Sequence, residues 1–199
     1  GRAMLIRAKQ RRRLNLLKID DSRSFLPVNI AVLTVSDSRT EMDDKSGSLL
    51  VKRLQGVGHH LADRAIIPDE KTLITAHLTK WVKDPEIDVV LATGGTGVTG
   101  RDVTPEAFEA MYDKPVPGFG ELFRMLSFQK IGTSTIQSRA TAGVCHGTYM
   151  FALPGSPNAC KDAWDEILVH QLDNRFRPCN FVELMPRLNE KVSAVNRSV

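Results

Sequence analysis

Cysteine is scarce in this sequence. Cys145, Cys160 and Cys179 are the only three in 199 residues, and no two are close enough to form a CxxC pair. So sparse and odd a set argues against a disulfide framework and a structural zinc site, and for reduced thiols in a cytoplasm. Long apolar runs are also missing. None approaches the roughly 20 residues of a membrane-spanning helix, and the run Met4-Leu5-Ile6 in the basic N-terminus is too short for a signal-peptide core. Gly-Lys-Ser and Gly-Lys-Thr do not occur, which excludes a triphosphate-binding P-loop. The five histidines, His59, His60, His77, His146 and His170, are scattered without metal-ligand spacing. His77 and His170 are expected on packed or half-exposed helix faces.

What is present describes one globular domain: 42% hydrophobic and 25% charged residues, with no linker or internal repeat. The net charge of +4 belongs to one end. Residues 1–23 hold eight Lys and Arg against Asp20 and Asp21, a net of +6, which leaves the rest at −2. A nucleic-acid or anionic-surface anchor through Arg11-Arg12-Arg13 is one reading of this arm. A solvated, disordered extension over 1–23 is the favoured one, so nucleic acid and membrane are not expected partners. The body is taken as 24–182, and 183–199 as a polar C-terminal tail that frays after Pro186.

Short apolar runs alternate with helix-spaced segments from Pro27 onward. Strands are predicted at 29–37, within 61–70, at 87–93 and from 148, and helices over 46–58, 70–83 and 158–172. That alternation predicts an α/β fold with a mostly parallel sheet. The segment 121-ELFRMLSFQKIG-132 is more apolar than one core face needs, so part of it is expected at a subunit contact.

The stretch 87-IDVVLATGGTGVTGRDVTPEA-107 carries Gly95, Gly97 and Gly100 in G-x-G-x-x-G order. A dinucleotide site would need a helix opening within the glycines and an acidic residue about 20 positions on, after a second strand. The helix start is better placed at Thr104-Pro105-Glu106, with Thr104 as N-cap. No second strand with a terminal acid follows, so the Rossmann reading fails. Gly94, Gly95 and Gly97 still let bare amides approach a phosphate, and Thr93 and Thr96 add hydroxyls. The loops after the other strands, Ser36-Asp37, Pro68-Asp69 and Pro154-Gly155-Ser156-Pro157, are expected at the same sheet edge. Asp37, Asp69 and Asp102 beside a phosphate call for a bridging Mg²⁺. The plainer alternative is a tight turn with Asp102 capping local amides.

Several motifs then resemble one family: Thr34-Val35-Ser36-Asp37, Asp44-x-Ser46-Gly47, Ile67-Pro68-Asp69-Glu70, 93-TGGTGVTGRDVTPEA-107, Pro117-Gly118-Phe119-Gly120-Glu121, Ser138-Arg139 and Leu153-Pro154-Gly155-Ser156-Pro157. Over about residues 28–181 the chain resembles the MoaB/MogA family of molybdenum-cofactor biosynthesis proteins, shared with the gephyrin G domain. The blocks 119–140 and 171–181 look like the MoaB branch. The resemblance implies a three-layer α/β/α sandwich and Mg²⁺-dependent adenylylation of molybdopterin by ATP. It implies a homo-oligomer, a trimer or, favoured for this branch, a hexamer of two trimers. It assigns Asp69 and Asp102 to Mg²⁺ and the triphosphate as the catalytic pair. The loop Thr93, Gly94, Gly95, Thr96 and Gly97 would hold phosphate. Ser36, Asp37, Ser46, Gly47, Thr104, Glu106, Ser138, Arg139, Pro154, Gly155 and Ser156 would line the cleft. Arg139 is the cation for a phosphate, with a structural salt bridge as its other reading. Some MoaB-branch members are altered after the glycine loop, whereas this chain keeps Arg101-Asp102-Val103-Thr104-Pro105-Glu106, the pattern of the active type. The alternative function is a non-catalytic molybdopterin carrier.

Overall fold

The computed structural model describes residues 18–190. Its centre is a six-stranded sheet in the order β3-β2-β4-β7-β6-β5. The strands are β2 (Asn29–Val35), β3 (His60–Ile67), β4 (Val89–Thr93), β5 (Lys114–Pro115), β6 (Thr141–Cys145) and β7 (Thr148–Leu153). The pairs β2–β3, β2–β4 and β4–β7 are parallel, and β6 and β5 add an antiparallel edge. The expected mostly parallel α/β architecture is therefore found. Parallel strands covered on both faces read as unbroken apolar runs, and β4 and β7 are buried at every residue.

Alternate side chains divide between two cores. Ile30, Val32, Val89, Leu91, Tyr149 and Phe151 pack beneath Leu50 and Leu54 of α1 (Lys45–Gly56), Phe119 and Phe123 of α4 (Pro117–Ile131), and Cys160 and Ala163 of α5 (Pro157–Ala163). On the other face Ala31, Leu33, Val90, Ala92 and Met150 meet Ile74, Leu78 and Trp81 of α2 (Lys71–Val82) and Phe108 of α3 (Thr104–Glu109). This gives the three layers. After α5 one π turn, Trp164–Leu168, interrupts the helix expected to run straight over 158–172, and α6 (Val169–Gln171) closes it.

Register sets the level of the site. Val35 faces Ile67, Thr34 faces Thr93, and Thr93 faces Leu153. The four parallel strands therefore end side by side, and each following loop opens on one edge.

Both ends depart from expectation. Residues 18–23 are not a free arm. The strand β1 (Lys18–Ile19) pairs antiparallel with β8 (Phe176–Arg177), Arg177 bonds Asp20, and Arg23 pairs with Glu183. Asn174, 2% exposed, accepts from the Leu26 amide and donates to the Ser24 carbonyl. These partners lie about 150 residues away, so local composition carries no trace of them. The tail expected from 183 begins inside α7 (Phe181–Leu184), and Met185 and Leu188 pack on the core. Arg11-Arg12-Arg13 and residues 191–199 lie outside the described residues.

His59 is 4% exposed, packed against Phe25 and Trp164, and its Nδ1 accepts the Val28 amide at 3.2 Å. Burial holds its pKa down at about 4, with Asp173 pulling the other way. The unfolded value is near 6.5. Between about 4 and 6.5 the unfolded chain binds a proton that the fold excludes, so stability is complete above this window and lost as pH falls through it. On the order of 1–3 kcal/mol should disappear. Urea midpoints from pH 7 to 4 should fall more steeply for the wild type than for His59→Phe, and parallel curves would exclude His59 as the source.

Candidate active site

The glycine loop leaves β4 through two left-handed residues, Gly94 (φ +104) and Gly95 (φ +63). A Cβ on Gly94 would lie 2.2 Å from the Val35 carbonyl oxygen. A Cβ on Gly95 would lie 2.4 Å from both Asp69 Oδ1 and Thr104 Oγ1. Only glycine fits either position. The loop thus packs directly against the ends of β2 and β3 and the start of α3.

Those two oxygens share a further property: Asp69 Oδ1 and Thr104 Oγ1 are buried without a hydrogen-bond partner. Thr104 was expected to cap α3. Its hydroxyl caps nothing, and Val103 takes the N-cap position without a side-chain bond. The reason is tertiary: the Thr104 amide is bound to the Gly95 carbonyl at 3.0 Å, which turns the residue into the fold at 0% exposure.

The carboxylates are electrostatically distinct. Asp69 is raised above the ordinary carboxylate range, first by burial, then by the charges of Asp37 and Asp102, against the pull of Arg101. For Asp102 burial also pushes upward, but the Thr99 hydroxyl and amide, the Gly97 amide and Arg139 outweigh it and hold the carboxyl down. Asp37 is lowered by Arg101, which grips both its oxygens, and by the Asp69 amide, 3.0 Å away. Three separate loops therefore bring Asp37 and Asp102 close enough to act on Asp69. Among the described residues no group of three or more His, Cys, Asp or Glu has the arrangement of a metal cage. The fit is that of a hard cation held by one or two carboxylates, with phosphate and water oxygens completing its shell.

Several residues expected to touch ligand have hydrogen-bond partners within the protein. Ser46 Oγ donates to the Gly155 carbonyl, and Thr93 Oγ1 to the Pro154 carbonyl. Ser156 caps α5 by accepting the Ala159 amide, and Gly47 donates to Asp44. Ser36 Oγ accepts the amides of Ser38 and Arg39, and Ser138 Oγ that of Ala140. The Gly94 amide is spent on Leu153. Among the described residues no hydrogen bond is formed by the amides of Gly95 and Thr96, nor by those of Val98, Gly100 and Arg101 further along the loop. Arg139 and Glu106 pair with each other.

Two positions carry more than the sequence suggested. Asp44 is 1% exposed and ties Thr34, Gly47 and Arg64 together, anchoring the loop after β2. Arg101 holds Asp37 across 64 residues, and only the fold signals that pairing.

A cleft of about 480 Å³ is lined by Val98, Thr99, Gly100, Asp102, Val103, Glu106 and Arg139. A larger one of about 740 Å³ lies between Pro105, Tyr112, Val116, Arg124 and Ser138–Ala142. Arg139 borders both. The smaller cleft is the better centre for chemistry, because it contains an acidic residue of the cluster.

An open parallel sheet with a glycine loop and carboxylates at its carboxyl edge defines a ligand-binding α/β protein. The family model "Probable molybdopterin binding domain" matches residues 31–174. The chain belongs to the MoaB/MogA family of molybdenum-cofactor biosynthesis proteins. Molybdenum cofactor biosynthesis protein B of Escherichia coli K12 is 52% identical over 160 residues, covering 80% of this chain and 94% of that protein. A crystal structure of a molybdenum cofactor biosynthesis protein B superposes with a TM-score of 0.73 at 40% identity, over 75% of this chain and 94% of that one. The tungsten cofactor synthesizing protein MoaB from Pyrococcus furiosus gives 0.66 at 39%, over 72% and 92%.

The Gly95 fit is directly testable. Gly95→Ala should cost about 2–4 kcal/mol through left-handed strain and the clash with two buried oxygens. Gly100→Ala, with nothing within 4 Å of an added Cβ, is the neutral control. Urea titration of both variants decides it, and equal stability would contradict the packing around Gly95.

Proposed function

We propose that this protein binds molybdopterin and adenylylates it with ATP and Mg²⁺, giving adenylyl-molybdopterin and pyrophosphate. The observation that carries this reading is Asp69: a carboxylate with one buried, unpartnered oxygen, raised first by burial and then by Asp37 and Asp102, beside a loop in which the Gly95 and Thr96 amides are unbonded. Such a set favours a cation and a polyphosphate arriving together. The family assignment and the names of the relatives point to the same pathway.

In this mechanism the terminal phosphate oxygen of molybdopterin attacks the α-phosphorus of ATP. The new P–O bond forms as the α–β anhydride bond breaks and pyrophosphate leaves. The nucleophile belongs to the substrate, so no Ser, Cys or His nucleophile is required. Cys160 fits this view: it is fully buried, its thiol pushed up to about 11 by burial. Asp69 and Asp102 would hold Mg²⁺, which neutralises phosphate charge when bound. The Gly95 and Thr96 amides bind phosphate oxygen and fix its orientation.

A carrier function without catalysis is the second reading. It is favoured by the arginines at the edge, since Arg101 and Arg139 are both engaged by protein carboxylates. A homo-oligomer is part of the proposal. Met125, Phe128 and Ile131 of α4 are each 56% exposed and supply an apolar stripe for a neighbouring subunit.

Transfer of label from α-labelled ATP to molybdopterin should occur with Mg²⁺ and fall by about 100-fold or more in Asp102→Asn, with pterin binding retained. Pterin binding without product in the wild type would make this protein a carrier.

A further inference from the structure

Arg139 stands where a phosphate-binding arginine is expected, yet its guanidinium is turned onto the protein. Nε donates to the Gly97 carbonyl at 2.7 Å, and Nη2 to the Asp102 carbonyl at 2.8 Å. Nη1 pairs with Glu106, and the main-chain amide donates to Thr96 at 3.1 Å. All three guanidinium nitrogens are therefore engaged. The two carbonyls bracket the turn in which the Thr99 amide and hydroxyl hold Asp102 Oδ2 at 2.8 and 2.6 Å. The planar fork reaches both ends of this turn at once, which a single ammonium group does not. The ion pair with Glu106 is solvent-exposed and adds little by itself. The carbonyl bonds carry the arrangement.

We infer that Arg139 is a positioning residue: it clamps the turn from Gly97 to Asp102 so that the Asp102 carboxylate keeps one orientation, and it does not itself carry the charge of a bound phosphate. The consequence for turnover rests on the proposed role of Asp102, whereas the clamp is a property of the free protein.

The test is amide hydrogen exchange on the full chain without ligand, combined with adenylyl transfer. Arg139→Ala should speed exchange across residues 97–103 by about tenfold or more and leave β4 and β7 unchanged. If that variant does not fold, Arg139→Met keeps the aliphatic stem and takes its place. Arg139→Lys preserves the charge but not the fork. It should also loosen the turn and lower kcat about tenfold or more, with KM for ATP within about threefold of wild type. Unchanged exchange in the turn overturns the clamp. Wild-type turnover in Arg139→Lys, or a tenfold rise in KM for ATP with kcat unchanged, would return Arg139 to phosphate binding. If the wild type transfers no adenylyl group, the proposed function fails and exchange alone decides the clamp.

Discussion

The parallel hydrogen-bond register of β3, β2, β4 and β7 is the constraint on which everything else rests. It aligns Val35, Ile67, Thr93 and Leu153 at one edge. A site assembled from residues 36–37, 69, 94–102 and 138–139 has no local origin, and strand pairing alone brings these segments together. The two apolar cores enforce that register. A slip of one residue in a strand buried on both faces would exchange the side chains of one core for those of the other.

At this edge the fold gathers negative charge. Burial and the charges of Asp37 and Asp102 oppose the ionisation of Asp69, and the protein compensates the three carboxylates unequally. Asp37 has Arg101, Asp102 has Thr99 and the loop amides, and Asp69 keeps an unsatisfied oxygen. Full compensation would leave a stable but inert surface. The proposed cation would answer the remaining deficit at Asp69, and the proposed phosphate would take the unbonded amides of Gly95 and Thr96.

Much of the expected recognition apparatus also braces the scaffold. Ser46, Thr93, Ser156 and Arg139 bond carbonyls or cap a helix. Their contribution is rigidity. A loop of glycines has high conformational freedom, and here side-chain bonds from neighbouring elements hold it. The motif therefore extends beyond the residues that face the cleft to those that fix the loop behind it.

The sequence by itself determined the α/β class, the parallel strands and the glycine loop. Apolar runs and helical spacing are written locally, and the loop's glycines mark a close approach of backbone. Its motifs also pointed to Asp69 and Asp102, which the fold brings close enough to interact. It did not disclose β6, where 141-TAGVC-145 is short and small-chained and becomes a strand only by pairing with β7. It misread residues 18–23, whose partners lie between 151 and 160 residues distant, and it gave Thr104 a capping role that its contact with Gly95 removes. Tertiary structure alone decided which hydroxyls, amides and arginines remain free for a ligand, because a polar group's availability depends on neighbours that are remote in the chain.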